Sequence, residues 1–262
     1  MYILRHEVKR QWVSLSIFAL VLSFILAVVV VMYPAMAEDM GGIMSLVEGL
    51  GMFTEALNLD ISQLNSLIGF YGMEMESMVG IAGALYAAFL GISLLAKEES
   101  HHTAEFLLTH PIKRHRVYLE KLAALLLMIT VFNLIIYVIS LITIYLSGQT
   151  VPLVGFTLLH LATLLVQLNI GLLCFGLSAF LRSEKIGLGM GIALLLYFFS
   201  IFANIWSELA WLRFITPFQY AFAADILNEN QLNLGLIAIV FGMGLLVSLI
   251  GLVHYNRRDI AS

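Results

Sequence analysis

Between Lys121 and Arg182 the chain runs for 60 residues without an aspartate, glutamate, lysine or arginine. About a quarter of the residues of a soluble domain are charged, so a water-exposed fold of this size would not leave such a gap. In bilayer hydrocarbon, about 20 apolar residues make one helical crossing, so this stretch holds two. Its break falls at Ser147-Gly148-Gln149-Thr150-Val151-Pro152, which has turn chemistry. Four more charge-free windows follow the same rule: 27 residues between Arg10 and Glu38, 20 between Glu76 and Lys97, 22 between Lys185 and Glu208, and 27 between Glu229 and Arg257. The expected fold is an all-α integral membrane domain covering residues 1–262. Its six transmembrane helices are expected at about 14–37, 78–96, 120–146, 153–181, 186–205 and 233–253.

Composition narrows the class further. The chain is 61% hydrophobic and 11% charged, too few charges to cover a water-facing surface. A net charge of −4 argues against a nucleic-acid partner. The single cysteine, Cys174, excludes an intrachain disulfide and reads as a small packing residue. Ala35-Met36-Ala37 has the form of a signal cleavage site, but the apolar run before it is too long for a signal peptide.

Lysine and arginine set the orientation. Twelve of the 13 basic residues fall on the N-terminus, the 97–121 connection, the 182–185 connection and the C-terminus; only Arg213 falls opposite. The expected topology is N-in and C-in, a multi-pass protein of the cytoplasmic membrane with both termini cytoplasmic. Residues 2–12, with Arg5 and Lys9 four apart and Trp12 as an anchor, suit a short interfacial helix.

The external segment 38–77 reads as two amphipathic helices. One carries Ile43, Leu46, Val47, Leu50, Phe53 and Leu57; the other is capped by Asp60, boxed by Gln63, and carries Ile61, Leu64, Leu67, Ile68 and Tyr71. Its seven acids, Glu38, Asp39, Glu48, Glu55, Asp60, Glu74 and Glu76, read as a solvated face or as an attraction for a cationic substrate. Clustered methionines read as adaptable apolar residues, and His101, His102, His110 and His115 have no cysteine nearby, so no metal site is expected. Gly187 and Gly191 form a GxxxG pair that suits close helix approach. Within the spans, Asn133, Gln167, Asn169 and Asn204 face a neighbouring helix or a cavity. The external segment 206–232 is aromatic, with two tryptophans and Thr216-Pro217-Phe218. It is expected to fold as short helices across the span tops, with a gate at Pro217 and Phe218.

One long polar stretch remains on the basic side, Lys97 to Arg116, KEESHHTAEFLLTHPIKRHR, within a coupling loop at 97–117. Thr103 to Thr109 can form a short helix with Phe106, Leu107 and Leu108 apolar, ended by Pro111. Such a helix suits docking into a partner's groove or lying on headgroups.

The segment EESHHTAEFLLTHPIKRHRVYLEK resembles the first cytoplasmic loop of ABC-2 type transporter permeases. There an acidic end of the second span precedes a Gly-Thr-x-Glu-x-Leu-Leu-x-x-Pro-[Ile/Val]-x-Arg pattern and a lysine in the next span. Thr103, Glu105, Leu107, Leu108, Pro111, Ile112, Arg114 and Lys121 match, Glu98 and Glu99 supply the acidic end, and His102 stands where the family commonly has Gly. The resemblance implies a permease domain acting as one half of an ABC exporter, paired with a second permease subunit, identical or related, and with ABC ATP-binding subunits on the cytoplasmic face. It implies an ATPase-coupling helix formed by Glu98, Glu99, Thr103, Glu105, Phe106, Leu107, Leu108, Pro111 and Arg114. ATPase closure would push that helix and tilt the second and third spans as rigid bodies. The chain has no phosphate-binding loop, so it needs no cofactor of its own; ATP and Mg belong to the partner subunit.

Two other classes compete. An intramembrane enzyme needs a nucleophile or metal set, and neither G-x-S-x-G nor H-E-x-x-H is present. An ion-coupled secondary transporter normally uses intramembrane acids, and the expected span interiors lack them. A non-transporting membrane subunit is the third alternative. The scarcity of buried charge favours an amphiphilic cargo, such as a peptide, drug or lipid-like molecule.

Overall fold

The computed structural model describes residues 2–38, 51–58, 60–100 and 113–257. Among the described residues all regular structure is helical, and six helices are long and apolar enough to cross a membrane. They are Tyr2–Glu38, Leu67–Ala96, Arg114–Leu146, Leu153–Ser178, Ile186–Ile205 and Leu234–Arg257. The second and fourth form the centre of the bundle. Of their most apolar stretches 72% and 67% are buried, against 22% to 39% in the other four. The second packs between the fourth and fifth, the first lies against the third, and the sixth covers the fourth.

Two helices differ from expectation. Residues 2–12 are not a separate interfacial helix: Tyr2–Glu38 is one helix of 37 residues, roughly 55 Å long. Nothing in residues 2–12 breaks a helix, and Ile3, Glu7 and Gln11 continue the buried stripe of Leu15, Ala19, Leu22, Leu26 and Val30. The second span begins at Leu67 rather than near 78. Glu74 and Glu76 ended the charge-free window, yet the helix runs through them by way of a π-turn at Met75–Gly80.

The second external amphipathic helix is accordingly not one element. The Asp60 side chain accepts from the Ser62 amide and caps a short 3₁₀ turn, Ile61–Asn65. Ser66 then caps the helix that becomes the second span. Leu67 and Tyr71 are buried in the bundle instead of resting on an outer interface. Gln63 closes no box with Asp60; it donates to Asn228 Oδ1 at 2.6 Å. The first external amphipathic helix falls mostly outside the described residues; within them a helix spans Gly51–Ala56.

Among the described residues the GxxxG pair makes no close approach. A Cβ at Gly187 or Gly191 would meet nothing within 4 Å. The residue between them, Gly189, lies against the second span, where a Cβ would stand 2.6 Å from Ile92 Cγ1 and 3.1 Å from Ala88 O. Cys174 is buried nearby.

Candidate functional site

The site is built from the basic end upward, because that end holds both ends of the connection between the second and third spans. Lys121, about two turns into the third-span helix, is buried: its side chain is 1% exposed. Its ammonium donates to Glu7 Oε1 at 2.9 Å and to the Leu94 carbonyl of the second span. Next to it, Glu120 Oε2 accepts from the Ile3 and Leu4 amides at 3.1 and 3.4 Å. These amides belong to the first turn of the first span, where backbone donors have no partner within the helix. Arg116 holds the other Glu120 oxygen at 3.1 Å. Two adjacent residues of the third span therefore fasten the first span, and one of them also fastens the second. A buried ammonium is tolerable only with such pairing.

Halfway along, amides join the spans. Asn133 Nδ2 donates to Gln167 Oε1 at 2.8 Å and to Ile129 O. Gln167 Nε2 donates onward to Val79 O, in the π-turn, at 3.1 Å. Asn169 Nδ2 donates to Val240 O of the sixth span at 2.8 Å. Asn133, Gln167 and Asn169 thus bond between helices, and all three are buried. Asn204 stands apart at the acidic end, donating to Ala56 O and accepting from Gln219 Nε2.

A family model described as ABC-2 family transporter protein matches residues 1–260. The chain belongs to the ABC-2 transporter family. It is a multi-pass membrane permease of an ABC transporter, a class whose transmembrane subunits work with ABC ATP-binding subunits. No curated protein and no solved structure matches it.

Of the residues expected from the sequence to couple to an ATPase, Thr103, Glu105, Phe106, Leu107, Leu108 and Pro111 lie outside the described residues. Glu98 and Glu99 fall in the last turn of the helix Ile81–Ser100, and Arg114 opens the third-span helix, whose cap is Lys113. The two helices that flank the loop are therefore placed, and the Lys121 brace joins them.

At the acidic end of the permease, the segment after the fifth span folds as 3₁₀ turns at Ser207–Phe214 and Pro217–Tyr220 and a helix at Ala223–Glu229. Thr216 Oγ1 donates to Leu196 O at 2.6 Å and anchors it to the fifth span. Pro217 and Phe218 are buried, with the Phe218 ring edge-on to Tyr197 at 5.3 Å. The short helix is held from outside: Asn58 Nδ2 donates to Asp225 Oδ1, and Asn228 Nδ2 donates to Asp60 Oδ2. Hydrogen bonds from Ser62 and Asn228 hold the Asp60 carboxyl below the usual aspartate range. Glu76 accepts from the Ala223 amide at 2.8 Å. Asp60, Glu76, Asn58 and Gln63 border a small, shallow cleft there.

Three residues that matter most in this geometry, Glu7, Glu120 and Glu76, were not singled out from sequence as functional. For Glu7 the signal was present: it shares the four-residue phase of Ile3 and Gln11. For Glu76 it was not, because its partner is a backbone amide 147 residues away. Glu76 lies within the helix Leu67–Ala96, which is long and apolar enough to cross a membrane, so the charge-free window is shorter than the helix.

Proposed function

We propose that this permease is one half of an ATP-driven exporter, with both termini and the 97–117 loop on the cytoplasmic side of the cell membrane. The loop is its coupling helix, seated in a cleft of the ATP-binding subunit through Phe106, Leu107 and Leu108, with Glu105 and Arg114 setting register. ATP and Mg are bound by that subunit. A second permease, identical or related, completes the pathway, and the cargo is amphiphilic: a peptide, a drug or a lipid-like molecule. The gate is the broken segment around Pro217 and Phe218.

The observation that carries this reading is the brace at the basic end. Any displacement of the loop acts on Leu94 and on Arg114–Lys121, and Lys121 with Glu120 ties both to the first span. A push at one loop reaches three helices through bonds of 2.9 to 3.1 Å and a buried carbonyl contact. The twelve basic residues at this end fit a cytoplasmic face.

The test uses the permease co-expressed with its ATP-binding subunit. Phe106→Ala with Leu107→Ala is expected to weaken co-purification by about 30-fold in affinity, the effect of removing about 2 kcal/mol from an interface anchor. Glu105→Lys is expected to lower permease-stimulated ATP hydrolysis while membrane insertion stays normal. Unchanged co-purification and hydrolysis in both variants would refute the coupling role.

A further inference from the structure

The second span is not a single rod. Between the helix Leu67–Glu74 and the helix Ile81–Ser100 runs the π-turn Met75–Gly80. Such turns are rare, interrupt the regular hydrogen-bond ladder, and collect at functional positions. Here the turn also divides two sets of attachments.

The outer arm belongs to the acidic end. The Tyr71 hydroxyl meets His160 Nε2 at 3.0 Å, and the Phe70 ring lies 5.8 Å from Tyr33. A Cβ on Gly72 would stand 3.0 Å from the Ala223 methyl, so this arm lies directly under the short helix Ala223–Glu229. Glu76 then bonds the amide that opens that helix. The inner arm belongs to the basic end. It packs on the fifth span at Gly189 and delivers the Leu94 carbonyl to Lys121.

Gln167 sits at the division. Its carboxamide donates to Val79 O within the π-turn and is itself held by Asn133. It crosses the second span at Gly83, where any side chain would collide with it. The fourth span packs closely along the inner arm, where a Cβ at Gly91 would stand 2.7 Å from Gly171 O, and Gln167 adds its one side-chain hydrogen bond to the irregular turn.

We propose that Met75–Gly80 is a hinge, that the inner arm swings with the cytoplasmic loop while the outer arm stays with the acidic-end cap, and that Gln167 is the clamp holding the hinge closed. This rests on the exporter reading and refines it: the second span bends instead of tilting as one rigid body. Hinges of this kind absorb a large backbone change over a few residues. A small cleft lined by Gly69, Met73 and Glu76 opens beside the start of the turn.

The experiment is hydrogen–deuterium exchange on the permease–ATPase complex in nanodiscs, following residues 67–74, 75–83 and 84–96, with and without Mg-ATP. Mg-ATP is expected to raise exchange in 75–83 and leave the flanking arms protected. Gln167→Ala is expected to raise exchange in 75–83 without nucleotide. Asn169→Ala, which removes the fourth span's bond to the sixth, is expected to leave 75–83 unchanged. A Gln167→Ala effect spread evenly over the whole span would mark general destabilisation and overturn the clamp. If the permease stimulates hydrolysis but Mg-ATP leaves 75–83 unchanged, the span moves as a rod and the hinge is wrong while the exporter reading stands. If hydrolysis is indifferent to the permease, the exporter reading fails and the hinge loses its driver.

Discussion

Glu7→Ala is expected to destabilise the folded permease by up to about 3–5 kcal/mol, the range for removing one partner of a buried ion pair. The expectation follows from burial. The Glu7 and Lys121 side chains are 5% and 1% exposed, and their charged atoms are 2.9 Å apart. An exposed pair of the same geometry would contribute about 0–1 kcal/mol, because water and salt screen it. Here removing the carboxylate leaves an ammonium with the Leu94 carbonyl but no counter-charge from Glu7. The intact pair is not itself a large net gain, since desolvating both ions offsets much of their attraction. The double variant Glu7→Leu with Lys121→Met is therefore expected to recover most of the loss. A denaturation cycle over the two single variants and the double variant measures this. A Glu7→Ala cost under about 1 kcal/mol would mean the pair behaves as a surface contact, and the brace would not transmit force.

Gly176→Val is expected to separate the fourth and sixth spans and to cost about 1–3 kcal/mol or more, as overpacking does. A Cβ at Gly176 would stand 2.5 Å from Val247 O and 2.7 Å from Ser248 N, both backbone atoms that cannot rotate away. The approach is reciprocal, for a Cβ at Gly251 would be 2.6 Å from Gly176 O. The Tyr118 hydroxyl, which donates to Ser248 O at 2.6 Å, depends on the same spacing. Gly187→Ala and Gly191→Ala form the contrast. Both positions are open among the described residues, and changes there are expected to stay within about 0.5 kcal/mol. Thermal unfolding in detergent compares the three. Equal losses at all three would show that intrachain packing does not decide these positions.

That contrast shows what the sequence could and could not reveal. The spans were legible because lipid demands long runs without charge, and the fifth was expected at 186–205 and occupies Ile186–Ile205. The GxxxG spacing described one helix alone, whereas close approach depends on the facing helix. Gly176, Gly189 and Gly251 could not be chosen without knowing which spans meet. The start of the second span was hidden for a chemical reason. Acidic residues mark the ends of the charge-free windows, yet Glu76 lies within a continuous helix, its carboxyl accepting from the Ala223 amide. Lys121 was legible through the loop pattern, but its partner Glu7 lies 114 residues away, and sequence spacing carries no such distance. Asn133, Gln167 and Asn169 were legible as polar groups turned to protein. Which helices they join, and that Gln167 meets a π-turn, needed the packing.

The central claim, that the loop after the second span is where the ATP-binding subunit grips the permease, is most directly tested by a photo-crosslinking residue placed at Phe106 in the assembled complex in native membranes. The predicted result is a covalent adduct between the permease and the ATP-binding subunit, formed at position 106 and reduced by Glu105→Lys. A crosslinker at 106 that captures only lipid or the permease itself, with the complex intact, would contradict it.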